Sequence, residues 1–184
     1  MSEPLVLAID GGNSKTDLAL VRTDGSLVSF VRGSLSSPHH LGVDGCLSVL
    51  TLLLDEAASI QLRGKQIQIV GVDPRTYDAR KARPDRLADP EAALRICLCH
   101  FPGIAERMPP KSFDLICAGH LHDGQIALPY PGGKIRFAHL RYRQGRGLLR
   151  RPSGLLHLSA GLGTTFVPFR FCARPEVTEL HLRS

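Results

Sequence analysis

Residues 113–126 read Phe-Asp-Leu-Ile-Cys-Ala-Gly-His-Leu-His-Asp-Gly-Gln-Ile, and this stretch constrains the fold more than any other. Its first half is an apolar run of the length and composition of a buried strand, and Gly119 then lets the backbone turn tightly. His120 and His122 therefore leave the carboxyl end of a strand, the edge of an α/β sheet where ligands collect. Upstream, residues 94–99 form a second apolar run that ends in His100, followed by Phe101 and Pro102. Two strand ends thus carry three imidazoles, a donor type suited to a shared transition-metal ion.

These residues resemble the calcineurin-like metallophosphoesterases, through Cys99-His100-Phe101-Pro102 and Gly119-His120-Leu121-His122-Asp123-Gly124-Gln125. The likeness continues through Ile126-Ala127-Leu128-Pro129-Tyr130 and a tail running from Gly161 to Arg170 and on through Arg174-Pro175-Glu176, covering residues 60–183. It implies half of an αββα sandwich and phosphoester hydrolysis. It also implies a divalent cofactor (Mn, Zn or Fe, dinuclear in intact members), with His100 and His120 on one metal, His122 on the other, and His120 also catalytic. Such a centre holds its cations about 3.5–4 Å apart and activates a water between them, which requires carboxylate ligands. The family draws these from Asp-x-His, Gly-Asp-x-x-Asp and Gly-Asn-His-Asp motifs, none of which precedes His100 here. Activity is accordingly expected to be weak or absent. Asp123 is expected to cap its loop rather than to supply an oxygen ligand.

The first 57 residues have a different character. Lys15, Arg22 and Arg32 stand against Glu3, Asp10, Asp17, Asp24, Asp44, Asp55 and Glu56, a balance of −4, which leaves +10 for residues 58–184 out of a total of +6. Residues 5–9, 17–22 and 26–32 predict a three-stranded meander with a hairpin turn at Asp24-Gly25, and residues 42–58 carry apolar side chains at helical spacing. Between the first two strands, Asp10-Gly11-Gly12-Asn13-Ser14-Lys15-Thr16 has the glycines and polar groups to bring backbone N–H groups to a phosphate. Together with Gly33-Ser34-Leu35-Ser36-Ser37-Pro38-His39-His40, this segment resembles the N-acetylglucosamine kinase and acyl-CoA-dehydratase-activator ATPases of the sugar kinase–actin superfamily, with its RNase H-like meander. The resemblance implies that Asp10 faces Mg²⁺ and that Asn13, Ser14 and Lys15 face the phosphates of ATP.

The expected organisation is therefore mixed α/β, with a kinase-like segment over residues 1–57 and a phosphoesterase half-domain over 58–184. Two further readings stay open: an ATP-phosphate-binding fragment, and a non-catalytic fusion or remnant. Residues 59–62 and 66–72 read as a hairpin about Arg63-Gly64-Lys65, residues 73–86 as a polar surface loop, and residues 154–159, 165–171 and 177–182 as the last strands. Asp89-Pro90-Glu91 reads as a capped turn.

The apolar fraction of 43% suffices for a core. Five cysteines without Cys-x-x-Cys spacing suit buried free thiols in a cytoplasmic setting. No run approaches the ~18 apolar residues of a membrane span. Arg136, Arg141, Arg143, Arg146, Arg150 and Arg151 make a basic segment, read as a rim that attracts phosphoester substrates rather than as a nucleic-acid site, since no recognition motif accompanies it. Strands apolar on both faces need cover from both sides, so self-association of the chain is expected.

Overall fold

The computed structural model describes residues 5–11, 15–22, 27–34, 54–62, 64–165 and 167–180, the first three of these as backbone strands. In chain order the strands are β1 (Leu5–Gly11), β2 (Lys15–Arg22), β3 (Leu27–Ser34), β4 (Ala57–Leu62), β5 (Lys65–Gly71), β6 (Leu94–Leu98), β7 (Leu115–Ala118), β8 (Ala127–Tyr130), β9 (Gly133–Arg136), β10 (Gly147–Arg151), β11 (Gly154–Leu158) and β12 (Thr178–Leu180). The architecture is mixed α/β, and the chain divides into two compact units. One comprises residues 52–120 and 146–158, the other residues 1–51, 121–145 and 159–184.

The first unit is a six-stranded sheet in the order β10-β11-β7-β6-β5-β4. β5, β6, β7 and β11 run parallel, while β4 and β10 pair antiparallel at the two edges. The expected hairpin is present as β4 and β5, with Ile60 opposite Ile67. Every residue of β7 is buried, as are Ile96 and Cys97 of β6, so the central strands are covered on both faces, which is how parallel strands read. A 3-10 turn at Pro102–Glu106 contributes Ile104 and Ala105 to the same core. Gly154 is required where β11 starts, because a Cβ there would collide with the Phe113 carbonyl.

The other unit contains β1, β2 and β3 as an antiparallel meander, with β12 added against β1. The expected meander is thus observed, while its Asp24-Gly25 turn lies outside the described residues. β8 and β9 form a separate antiparallel hairpin in this unit.

Three expectations need correction. The helix over 42–58 does not reach its predicted end, because Ala57 and Ala58 open β4 and pair with Val70 and Ile69; residues 35–53 lie outside the described residues. The 73–86 stretch is more than a surface loop. Asp73 accepts from the Arg75 N–H at 2.8 Å and caps the helix α1 (Pro74–Asp78), whose Tyr77 is buried, and a 3-10 turn follows at Pro84–Arg86. Five residues are too few to show a helical period. Finally, the expected strand over 165–171 is not formed among the described residues, where Phe171 makes an isolated bridge to Ile126 and the Gln125 side chain holds Thr165, Val167 and Phe169. The Asp89 turn is as expected, its carboxylate accepting from the Glu91 N–H at 2.9 Å.

Candidate metal centre

His100 follows β6 by two residues and His120 follows β7 by two residues. Because β6 and β7 are adjacent and parallel, both histidines arrive at the same edge of the sheet. The backbone continues the registration past the strand ends, with the Cys99 N–H donating to Cys117 O at 3.0 Å and the Gly119 N–H to His100 O at 3.2 Å. The side chains then meet in a hydrogen bond, His120 Nδ1 lying 3.1 Å from His100 Nε2, so an ion bound by both nitrogens would replace the proton between them. Two nitrogens each about 2.1 Å from one ion and subtending roughly 95° would stand that far apart. This pair fits two neighbouring positions of a metal coordination sphere.

Aromatic side chains support the pair. Phe101 packs edge-on against both imidazoles, with ring centroids 4.8 Å from His100 and 4.7 Å from His120. Tyr77 stacks on the other side of Phe101 at 4.4 Å and 12°, and the Arg107 guanidinium covers Tyr77 at 3.8 Å while donating to the Tyr77 carbonyl at 2.8 Å. None of these three supports was identified from the sequence. Phe101 had a signal, as the variable residue of the His-x-Pro motif; Tyr77 and Arg107 had none, being brought together by the fold.

His122 belongs to the other unit, with Leu121 onward. The backbone here is unusual: φ is positive at His122 (49°), Asp123 (49°), Gly124 (84°) and Gln125 (53°), and also at the preceding His120 (74°). Non-glycine residues in that region cost roughly 1 kcal/mol or more each and persist where surrounding contacts determine them. Those contacts come from side chains. Gln125 donates to the carbonyls of Thr165, Val167 and Phe169 and accepts from the Thr165 N–H. Arg170 donates to the carbonyls of His122, Ala160, Gly163 and Ala173. The Asp123 carboxylate, expected to cap its own loop, is engaged by the β8–β9 hairpin: it is 1% exposed and accepts from Arg136 Nε at 2.8 Å and Lys134 Nζ at 3.1 Å. The backbone of Gly145 passes so close to Asp123 that a Cβ would lie 2.6 Å from its Cα.

Arg170 also reaches His122 Nδ1, at 3.0 Å. A guanidinium has only donors, so Nδ1 is the acceptor and the proton of the neutral ring sits on Nε2. Ligation by His122 therefore requires Arg170 to release Nδ1. Among the described residues no group of three or more His, Cys, Asp or Glu side chains is arranged to hold a metal ion. The His100–His120 pair fits a metal as two ligands of a larger set, and no other described His, Cys, Asp or Glu is arranged to complete that set.

Cys97, Cys99 and Cys117 are the expected buried free thiols, and burial pushes Cys99 and Cys117 up to about 12, so both are thiols rather than reactive thiolates. Cys172 is free but exposed, and Cys46 lies outside the described residues. His157 is a buried residue of β11, as read. His139 is held below the usual imidazole range by burial. Of the phosphate-loop residues, Asp10 and Gly11 pair with Asp17 and Thr16 across β1 and β2, and Lys15 opens β2. Gly12, Asn13 and Ser14 lie outside the described residues.

Comparison with known proteins points the same way as the strand-end histidines. The chain is 32% identical over 127 residues to the uncharacterized metallophosphoesterase YkuE of Bacillus subtilis, a match covering 66% of this chain and 42% of that protein. It is 29% identical over 137 residues to the uncharacterized metallophosphoesterase YkoQ of Bacillus subtilis, covering 73% and 48%. To the phosphodiesterase YaeI of Escherichia coli it is 30% identical over 134 residues, covering 72% and 47%. The matches thus support the metallophosphoesterase family for most of this chain, which spans less than half the length of these relatives. No family model and no solved structure matches it. No helix among the described residues is long and apolar enough to cross a membrane.

Proposed function

We propose that residues 60–183 are the carboxy-terminal half of a calcineurin-like metallophosphoesterase domain, acting on phosphoester substrates. The observation that carries this is the 3.1 Å approach of His120 Nδ1 to His100 Nε2 at the ends of adjacent parallel strands. A divalent ion bound there would polarise a phosphoryl oxygen and lower the pKa of a bound water. The chain's own contribution is to present two imidazoles at fixed separation on an aromatic support, with His120 closest to the chemistry; the family resemblance assigns His122 to the other metal of the pair. Without the bridging carboxylates of the absent motifs, hydrolysis by this chain alone is weak or nil.

Cobalt substitution tests the ligand pair directly. Co²⁺ should bind with visible d–d absorption, and His100→Ala or His120→Ala should each weaken binding by at least tenfold. In assays with bis-p-nitrophenyl phosphate and Mn²⁺, the unaltered chain should turn over far more slowly than YaeI. Cobalt binding indifferent to both alanine substitutions would overturn the ligand assignment, and hydrolysis at the rate of YaeI would overturn the impairment.

The meander β1–β3 is the support for a second reading, in which residues 1–57 derive from a kinase-like ATPase and Asp10 to Thr16 hold a phosphate of Mg·ATP. Calorimetry decides it: micromolar Mg·ATP affinity that Asp10→Ala abolishes and His120→Ala spares favours it, and no heat of binding removes it.

A further inference from the structure

The β8–β9 hairpin has two chemically different faces. Cross-strand pairing sets Ala127 opposite Arg136 and Pro129 opposite Lys134, and sets Leu128 opposite Ile135 between them. Arg136 and Lys134 turn inward onto the buried Asp123 carboxylate, which fixes which way the hairpin faces. The alternate positions then project outward: Leu128 is 44% exposed, Ile135 51% and Tyr130 52%, and the exit of the hairpin adds Phe137 at 57% and Leu140 at 76%. Immediately after them come Arg141 and Arg143, both exposed. From Gly124 to Pro175 the chain contains no Asp or Glu, so no carboxylate from this stretch offsets its cations.

Large apolar side chains at a hairpin, followed closely in the chain by exposed arginines on a stretch without Asp or Glu, suit an interface that is apolar inside and anionic at its rim. The geometry points to a membrane-surface docking site: Leu128, Ile135, Phe137 and Leu140 enter the acyl boundary, Tyr130 sits at headgroup level, and Arg141 and Arg143 meet anionic phosphates. The composition argues against nucleic acid, since three of the five outward residues are aliphatic and offer no ring for a base to stack on. It extends the basic-rim reading from a soluble phosphoester to a lipid surface, and it stands whether or not the histidine pair binds metal.

Vesicle co-sedimentation of the full chain tests it. Binding should be strong on phosphatidylcholine vesicles containing a third phosphatidylglycerol and weak on pure phosphatidylcholine. Arg141→Gln with Arg143→Gln should lower partition by about 25-fold, near fivefold per cation. Phe137→Ser with Leu140→Ser keeps every charge and should lower it at least tenfold; both sites are more than half exposed, so folding, checked by circular dichroism, is retained. Partition unchanged by the serine pair would reduce the effect to charge alone and overturn the proposal. So would a dimer that the serine pair dissociates while vesicle binding is absent, or affinity for an oligonucleotide exceeding that for anionic vesicles.

Discussion

The two histidine-bearing segments are held by opposite means. His100 and His120 sit where two parallel strands stop, and the ladder itself, through Ile96 opposite Leu115 and the bonds at Cys99 and Gly119, sets their spacing. His122 sits on a loop with positive φ at four successive residues, three of them non-glycine, and its shape is imposed by Gln125, Arg170 and Asp123. A ladder spreads its stabilisation over many equivalent bonds and buried apolar residues. A clamp concentrates it in a few polar atoms, so single substitutions should act very differently in the two.

The largest effect is expected from Asp123→Ala. It leaves Arg136 and Lys134 without their carboxylate, Arg136 being only 15% exposed, and removing one partner of a buried ion pair costs about 3–5 kcal/mol. Urea denaturation should show that loss; a cost under about 1 kcal/mol would mean water reaches both cations. On the ladder side, Ile116→Ala in β7 empties a fully buried position and should cost about 2–4 kcal/mol. The two variants part in hydrogen exchange: protection should fall across β6, β7 and β11 for Ile116→Ala, and across residues 121–136 for Asp123→Ala.

Next in size is Gln125→Ala. It leaves the Thr165 N–H and the Val167 and Phe169 carbonyls without the bonds Gln125 makes to them, while the Thr165 carbonyl keeps the Val167 N–H, for about 1–3 kcal/mol of local stability. Exchange should accelerate in residues 163–171 while cobalt affinity at His100 and His120 stays the same. A parallel drop in cobalt affinity would show that the clamp also sets the ligand pair. Phe101→Leu should do the converse, weakening cobalt binding about fivefold through the lost edge contacts to both imidazoles, and leaving exchange in 163–171 unaltered.

The same division explains what the sequence made legible. β6 and β7 announce themselves as short apolar runs, and the distance between strand end and histidine is the same in both arms, so the meeting of His100 and His120 could be anticipated from local pattern plus adjacency. The clamp could not. Gln125 reaches carbonyls 40 to 44 positions away, and Arg170 reaches His122 across 48; backbone carbonyls are chemically identical in every residue, so nothing in the sequence marks which ones a side chain will find. The expected strand over 165–171 fails because the carbonyls of Thr165, Val167 and Phe169, which a neighbouring strand would have taken, face the Gln125 amide instead. Asp123 was misjudged because its partners lie on a hairpin 11 and 13 residues ahead, beyond the reach of a capping rule.

The smallest expected effect tests whether the ladder also relies on charge. Asp114, just before β7, accepts from the Arg95 backbone N–H at 2.8 Å and from its guanidinium at 3.1 and 3.2 Å, fastening β7 to β6. Burial by itself would raise the Asp114 pKa, but the hydrogen bonds from Arg95 prevail and hold it below the usual carboxylate value. A carboxyl more acidic in the folded state stabilises that state above its unfolded pKa of about 3.9, and the contribution disappears as pH falls through the lower folded value. Asp114 is 41% exposed, so solvent screening limits the pair to about 0.5–1 kcal/mol. Asp114→Asn should therefore cost that much at pH 7 and progressively less below about pH 4, where the unaltered protein loses the same term. If the difference between the two proteins is constant from pH 7 down to pH 2.5, the aspartate acts through its hydrogen-bond geometry alone, and the ladder would then owe nothing to charge.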